Sequence, residues 1–476
     1  MELFGTDVGT WLAFIESELL LFAAVFFLIG AVDEIAVDFT YIYLKLTGRI
    51  RSERLPENDR RQGQLRGMAA VFIPAWRESQ VIGQTLSHAL DKWQHTNLRI
   101  YVGCYRNDPA TLDAAMKAVR GDARVRMVIH DRDGPTSKPD VLNRLYDALR
   151  DDEQRSGEAA RMVILHDAED MVDANALSAL DRAIDDNEFV QLPVMPMPLR
   201  GSPLIAGHYC DEFAEAHGKM MVVRDAVGAG IPGAGVGCAI AREMLECVAE
   251  QNGDGKPFAV DSLTEDYELG LQVKALGGRD RFLRLRDAQG QLVATRAYFP
   301  SSVETAVRQK TRWIQGIALQ GWDRIGWQGG LAQKWMQMRD RRGPFASILL
   351  AMAYALVLLI GFTWAAAQMG LVNSVPLSPV VSSLLAANLI AFFWRFVARW
   401  AFTTREHGIW QGLLSIPRMF VSNWIAILAG RRALFSYVRS LRGAPTRWDK
   451  TEHANHPAAT SSSPPALELA RVRGAA

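Results

Sequence analysis

Val163-Ile164-Leu165-His166-Asp167-Ala168-Glu169-Asp170 is the stretch on which the reading of this chain turns. The apolar run from Met162 to Leu165 reads as a buried strand. Three carboxylates follow within four residues. Acids crowded at a strand end repel one another, and a divalent cation with oxygen ligands would offset that charge. Mg²⁺ takes one or two carboxylates and fills its shell with substrate phosphates. A plainer reading stands beside it: Asp170 or Asp173 caps the next helix, and the other acids are solvated.

On either side, strand-like and helix-like runs alternate. Ala69–Pro74, Leu98–Tyr105, Val125–His130, Met162–Leu165 and Phe189–Pro193 read as strands. Ser79–Trp93, Pro109–Val119, Lys138–Leu149 and Asn175–Ile184 read as helices between them. This order predicts an α/β fold with a parallel sheet covered on both faces. Ligands in such sheets bind beyond the carboxyl ends of the strands. Trp76-Arg77-Glu78, Asn107-Asp108 and His166 to Asp170 all fall there.

The chain has 476 residues and a formal net charge of +1. That length admits a large domain plus further structure. The charge balance makes no case for nucleic acid as a partner. Cys104, Cys210, Cys238 and Cys247 have no C-x-x-C spacing, so they read as reduced thiols in a cytosol-facing domain.

Apolar residues are unevenly spread. Leu19 to Val32 carries no charge and is flanked by Glu16, Glu18, Asp33 and Glu34. It is short of the ~20 residues a span needs, so it should extend toward Trp11 or Leu44. The acidic N-terminus does not read as a signal peptide. From Gly343 to Trp394 there is no charge at all, and the Asn373 to Pro379 break divides this region into spans near Phe345–Gln368 and Val380–Trp394. Gly408 to Gly430 is interrupted by Pro417 and Arg418. A charge at mid-depth is costly on a lipid-facing helix, so this stretch reads as an interfacial helix or two short pieces, with a fourth span as the alternative. Basic residues at Arg49, Arg51, Arg54, Arg341 and Arg342, and again at Arg395, Arg399, Arg431, Arg432, Arg439 and Arg442, place 45–342 and the C-terminus in the cytoplasm. The Ala-, Ser- and Pro-rich tail from Pro457 reads as disordered.

Further constellations each have a plain reading. Asp108 suits an N-cap before a helix begun by Pro109. Lys138, with Asn143, starts a helix whose N-terminus could hold a phosphate, though most lysines there are solvated. Thr264-Glu265-Asp266-Tyr267-Glu268 could be a capping box with Ser262 or Thr264 as cap. Gln309-Lys310-Thr311-Arg312-Trp313 could be an amphipathic helix anchored by Trp313. The segment 228–237 (GAGIPGAGVG) permits close backbone approach on the acceptor side of a site, or is a loop.

Together, Asp108, Asp167-Ala168-Glu169, Thr264-Glu265-Asp266 and Gln309 to Trp313 follow the order D…DxD…TED…QxxRW. With its flanking apolar helices, the chain resembles the membrane-embedded processive enzymes of glycosyltransferase family 2, such as cellulose, chitin and hyaluronan synthases. A closer likeness, to bacterial inner-membrane glycosyltransferases of the phage adsorption protein B type, rests on six further motifs and one smaller one. They are IPAWRE (Ile73–Glu78), NDPAT (Asn107–Thr111), SKPDVLN (Ser137–Asn143), HDAED (His166–Asp170), LTEDYELG (Leu263–Gly270) and PTRWDKTEH (Pro445–His453), with PRM at Pro417.

The resemblance implies a GT-A (Rossmann-like) cytoplasmic domain and inverting transfer from a UDP-sugar. Glu78 and Asp108 would contact the uridine, and Lys138 would lie near the diphosphate. Asp167 and Glu169 would hold Mg²⁺ or Mn²⁺, with Asp167 also on the donor side. Asp266 would be the general base, with Glu265 beside it. Gln309, Arg312 and Trp313 would close over the diphosphate and the acceptor. The chemistry agrees, since one carboxylate must deprotonate a hydroxyl and positive charge must stabilise the leaving diphosphate. Implied partners are the bilayer, a growing glycan or a lipid-linked acceptor, and an outer-membrane or regulatory protein. Glu169 departs from the Asp of many relatives, which opens the metal preference. The chain stops soon after PTRWDKTEH, which puts in doubt regulation by cyclic di-GMP in cis.

The expected layout is a membrane segment and linker over 1–50, the transferase over 51–342 and two membrane helices over 343–400. An interfacial helix and basic segment follow over 401–452, then a disordered tail over 453–476. Three readings stand: a processive synthase exporting an exopolysaccharide, a single-addition transferase on a lipid-linked acceptor, and a non-catalytic receptor that keeps the fold.

Overall fold

The computed structural model describes residues 2–3, 6–50, 53–55, 64–371, 376–443 and 456–461. The PTRWDKTEH segment lies outside the described residues. So does most of the tail expected to be disordered, and the part that is described, Pro457–Ser461, forms a short helix instead. His456 just before it is buried, its ring 3.2 Å from the Asp170 carbonyl.

The chain forms two compact units, each assembled from separated stretches. One consists of Ser52–Leu199, Ala229–Pro300 and Thr446–Ala476. Its centre is a seven-stranded sheet. The strands are β1 (Met68–Pro74), β2 (Leu98–Tyr105), β3 (Val125–His130), β4 (Ala160–Leu165), β5 (Phe189–Gln191), β6 (Cys238–Ala241) and β7 (Asp280–Phe282). They lie in the order β7-β5-β6-β4-β1-β2-β3. The expected parallel pairings hold for β1 with β2 and β4, and for β2 with β3. The sheet is not wholly parallel, because β6 runs antiparallel to both β4 and β5. It enters directly from the glycine-rich segment, with no crossover helix to reverse its direction.

The strands are buried because helices cover both faces. On one face Val71, Ile73, Ile100, Val102 and Ile164 join Leu86, Leu177 and Leu180 in one apolar core. On the other, Val141 and Leu145 of the helix Lys138–Ser156 press on β2, and a Cβ at Gly103 would collide with them. Glycine there lets helix and strand backbones meet. The helix Pro109–Val119 begins as the sequence predicts, with Asp108 as cap and Pro at its start.

The other unit consists of Met1–Arg51, Arg200–Gly228 and Ser301–Pro445. Four of its helices are long and apolar enough to cross a membrane: Trp11–Leu46, Gly343–Gln368, Pro379–His407 and Ile409–Leu441. The first extends both ways from its charge-free centre. Asp33 and Glu34 do not end it, because both are ion-paired with Arg339 and Arg342. The third helix runs well past Trp394, since Arg395 is paired with Glu34 and Glu215. Ile409–Leu441 is one continuous helix through Pro417, not two pieces. Arg418 on it does not face lipid: it is 1% exposed and paired with Asp211 at 3.0 Å. A Cβ at Gly207 would strike that guanidinium, so glycine is what admits it. Leu358, Phe362 and Ile390 remain exposed on these helices, as an acyl-chain environment requires.

All four cysteines are free, and Cys104, Cys210 and Cys238 are buried as expected of thiols in a reduced core.

Candidate active site

The carboxyl ends of β1, β2 and β4 carry the expected residues. After β1 the chain turns through Arg77, whose φ of 54° is held in place from below. Its N–H donates to Asp108 Oδ2 at 2.6 Å. Asp108 Oδ1 meanwhile accepts from Thr111 N, so the capping role is real and Asp108 does both jobs. Glu78 is buried, its N–H donating to Thr111 Oγ1 at 2.9 Å. Glu78 and Asp108 are thus brought to one corner.

That corner has an aromatic floor. Trp76 meets Tyr105 edge-on at 4.9 Å, and Tyr105 stacks on His130 at 5.2 Å. Asn107 locks the loop before Lys138 by pairing its amide with both backbone groups of Gly134. Asn143 is structural: it pairs with the backbone of Phe258 and is buried away from any phosphate.

Within the acidic stretch the four polar residues of 166–170 divide by direction. His166 and Asp170 point into the core, 2.9 Å apart and each 2% exposed. Asp170 also accepts from Asp167 N. Burial pushes the Asp170 carboxyl upward, against the pull of His166. Asp170 therefore braces the turn. Asp167 and Glu169 are the half-buried pair that remains.

Lys138 Nζ lies 2.6 Å from Asp167 Oδ1 and 4.0 Å from Glu265 Oε1. Burial alone would pull this ammonium down, but the carboxylates of Asp167, Glu265 and Asp266 outweigh it and hold its pKa above the ordinary value. Glu265 is pushed up to about 7 by burial and then by the charge of Asp266, with Lys138 pulling the other way. One cation thus sits among three acids, and the cluster is poised to take up more positive charge.

The capping-box reading of this cluster holds only in part. Thr264 makes no side-chain cap bond, and Ser262 instead donates to Glu268 at 2.7 Å. Asp266 Oδ1 accepts from Tyr267 N at 2.8 Å, so one of its oxygens serves the first turn of the helix. The glycine-rich segment lies along their helix, Glu265–Ala275. A Cβ at Gly270 would strike the Ile231 carbonyl, and one at Gly235, at φ 76°, would strike the Asp266 carboxylate. Gln191 on β5, fully buried, fixes this segment by donating to Val236 O and accepting from Ala234 N. Sequence reasoning missed Gln191, and it named Gly235 only within the segment 228–237. A glutamine inside the apolar run Phe189 to Pro193 was the available signal.

The donor set fits a hard divalent cation. Asp167 and Glu169 offer carboxylate oxygens, and the inward bonds of the turn are already met by Asp170. Among the described residues no group of three or more His, Cys, Asp or Glu could hold an ion alone. An ion bound here would complete its shell with ligand phosphates and water.

Gln309, Arg312 and Trp313 lie in the unit that holds the long apolar helices, on the helix Val303–Trp313. Lys310 between them bonds both oxygens of Glu212 at 2.7 and 2.6 Å. Burial would raise the Glu212 carboxyl, but Lys310, His208 and Arg399 together outweigh it and bring it to about 2. Trp313 meets Tyr209 edge-on at 6.1 Å and tilts over Phe213 at 6.3 Å. It is an internal aromatic contact rather than a lone anchor. Directly after Trp313 the helix widens into a π-helical stretch, Ile314–Gln320, a form common at functional sites.

Comparison with known proteins gives three results. Residues 67–316 match the sequence profile of the family described as glycosyltransferase like family 2. The chain is 32% identical over 472 residues to bacteriophage adsorption protein B of Escherichia coli strain K12. It matches bacteriophage N4 adsorption protein B of Escherichia coli O157:H7 equally. Each alignment covers 94% of this chain but 63% of the relative, so the chain spans less than two thirds of their length. Among solved structures, a mannosyltransferase from Pyrobaculum calidifontis in complex with GDP-Man and Mn²⁺ superposes with a TM-score of 0.54. That match covers 87% of this chain and 99% of the other at 15% identity, and it is a likeness of fold. The sheet and its helices are accordingly GT-A-like.

Proposed function

We propose that this chain, which belongs to glycosyltransferase family 2, transfers a sugar with inversion from a UDP-sugar to an acceptor hydroxyl at the surface of a bacterial inner membrane. The observation that carries this reading is the cluster of Lys138, Asp167, Glu265 and Asp266 at the carboxyl end of the sheet. A purely structural role does not explain why Glu265 is kept buried beside two other acids.

Asp266 takes the proton of the acceptor hydroxyl. The freed oxygen pair attacks the anomeric carbon from the side opposite the diphosphate, the glycosidic bond forms and the bond to UDP breaks. Only one basic carboxylate is needed, unlike the pair of a glycosidase. Gly235 lets the backbone pack against the Asp266 carboxylate without a side chain displacing it. Lys138 turns from Asp167 to the diphosphate as negative charge builds there. Glu78 and Asp108 hold the uridine; Gln309, Arg312 and Trp313 are assigned to diphosphate and acceptor by the family motif alone. A Mg²⁺ or Mn²⁺ ion held by Asp167 and Glu169 would neutralise the departing diphosphate.

The basic residues of the C-terminal helix favour a cytoplasmic C-terminus. On that reading three helices cross, and Ile409–Leu441 lies along the cytoplasmic interface as the sequence suggests. We read the product as an exported polysaccharide, with an outer-membrane or regulatory protein as partner. A single addition to a lipid-linked acceptor is the second reading. It is favoured by the modest number of helices, four among the described residues, able to cross and line a path.

The test is purified protein in nanodiscs with Mg²⁺ or Mn²⁺, a panel of UDP-sugars, and UDP release as readout. Release from one sugar that Asp266→Asn abolishes would support transfer and name the donor; sizing the product separates polymer from single addition. No release from any sugar, and no UDP binding by calorimetry, would leave the receptor reading.

A further inference from the structure

Within the unit that holds the apolar helices, a groove of about 1010 Å³ runs between the helix Val303–Trp313 and the C-terminal third of Ile409–Leu441. Its floor is apolar, with Val307, Leu428, Phe435 and Val438. Its rim carries Arg431, Arg432, Arg439 and Arg442. Positions 431, 435, 438, 439 and 442 recur at helical spacing, so Phe435 and Val438 share one helix face with Arg431, Arg439 and Arg442. Arg431 and Arg442 are eleven residues apart, about 16 Å along the axis. The groove's one acid, Glu304, is bonded to Arg308 on its own helix. Among the described residues, no carboxylate is paired with Arg431 or Arg442.

Two features need one explanation. Phe435 is 65% exposed and Val438 44% exposed, which water does not favour. Around them stand four guanidiniums, which an acyl-chain interior does not favour. An amphiphile with an anionic head satisfies both. A soluble phosphate would use the rim and leave the floor wet, and a neutral lipid would use the floor and leave Arg431 and Arg442 unanswered.

We propose that this groove is a binding site for an anionic glycerophospholipid of the cytoplasmic leaflet. Its acyl chains lie on Phe435, Val438, Val307 and Leu428. Its phosphate is held by guanidiniums, whose forked donors suit phosphate oxygens. This goes beyond the donor site and does not depend on it, because no residue of the groove belongs to the acidic cluster.

The experiment uses the full chain, delipidated in detergent and reconstituted in nanodiscs. One set contains phosphatidylcholine alone and the other contains phosphatidylcholine with phosphatidylglycerol. Retained lipid is counted by native mass spectrometry, and spin-labelled phosphatidylglycerol and phosphatidylcholine are compared for immobilisation. The expected result is one or two tightly held phosphatidylglycerols and a preference of about tenfold over phosphatidylcholine, weakened by 0.5 M salt as screening requires. The triple variant Arg431→Gln, Arg439→Gln, Arg442→Gln should bring the preference near parity, and the matching Lys variant should keep most of it. Equal retention of both lipids by the unmodified protein would overturn the proposal even if the Gln variant failed to fold. So would a preference that survives in a folded Gln variant. Displacement of the labelled lipid by inorganic phosphate at millimolar concentration would make this a soluble-anion site instead.

Discussion

Lys138 and Asp167 are joined at 2.6 Å, one from the start of a helix and the other from the end of the central strand β4. This pair holds the acidic cluster together before any ligand arrives. Removing the ammonium leaves Asp167, Glu265 and Asp266 facing one another. Lys138→Met should therefore weaken UDP binding by about tenfold or more, as loss of one charge-assisted bond does. Lys138→Arg should recover part of it. Isothermal calorimetry with UDP and Mg²⁺ checks this. Unchanged affinity in the Met variant would mean that Lys138 serves only to brace the acids.

Asp266→Asn and Asp167→Asn should fail in different ways. Asp266 is assigned to the acceptor proton, so its amide should lower kcat by 10²–10⁴-fold while UDP still binds. Asp167 is assigned to the metal and diphosphate, so its amide should weaken the metal-dependent binding of UDP itself. Equal loss of donor binding in both variants would contradict the two assignments.

Gly235 carries a sharper test of the same geometry. Its φ of 76° is strained for any side chain, and a Cβ would press on the Asp266 carboxylate. Gly235→Ala should cost about 1 kcal/mol from the backbone alone. Activity should fall far more, by tenfold or beyond, because the base is displaced. Gly253 also has a positive φ but meets nothing nearby, so Gly253→Ala should cost similar stability and spare activity. Thermal unfolding and kcat measured on both variants separate strain from displacement.

Much of this was legible in the sequence, and the misses share a cause. The elements Leu98–Tyr105, Pro109–Val119 and Val125–His130 fall where the sequence puts them. Their signals are local: an apolar run, a capping Asp108, a Pro at the first turn. What could not be read depends on partners far along the chain. Arg395 looks like the end of a membrane helix until Glu34 and Glu215 are found beside it, 361 and 180 residues away. Arg418 argues against a membrane-crossing helix until Asp211 is found paired with it. The short β6 has too few residues to announce itself, and its antiparallel direction follows from where the glycine-rich segment leaves it. In the site, Asp108 and Asp170 show that one acidic side chain can meet structural needs while its neighbours stay available. Pattern alone does not divide those duties.

Glu265 makes stability depend on pH in a stated direction. Its carboxyl titrates near 7 in the folded chain against 4.5 ordinarily, so the folded state binds the extra proton between those values. The stability this contributes is fully present below about pH 4.5 and is lost as pH rises through about 7. The raised Asp170 carboxyl adds to the same trend. Glu265→Gln should flatten the dependence and stabilise the chain at pH 8 by a few kcal/mol at most. Thermal unfolding of both proteins in one detergent at pH 5 and pH 8 reads this out. A Gln variant that loses stability as steeply as the parent over that range would remove Glu265 as the source.

Arg418 and Asp211 form the most buried ion pair described, at 1% and 0% exposure. Arg418 also donates to the Pro203 carbonyl at 2.7 Å, so it ties the helix Ile409–Leu441 to the segment before the helix Ile205–Glu215. Replacing one partner leaves a charge buried without its counterpart, which costs about 3–5 kcal/mol. Arg418→Met should therefore lower the unfolding temperature sharply, and so should Asp211→Leu. The two together should recover much of the loss, because the uncompensated charge is gone and apolar atoms fill the space. The recovery cannot be complete: the Pro203 carbonyl loses its donor in every variant lacking Arg418. A double-mutant cycle on thermal unfolding measures the coupling, and simple additivity of the two single losses would show that the pair is not what holds these helices together.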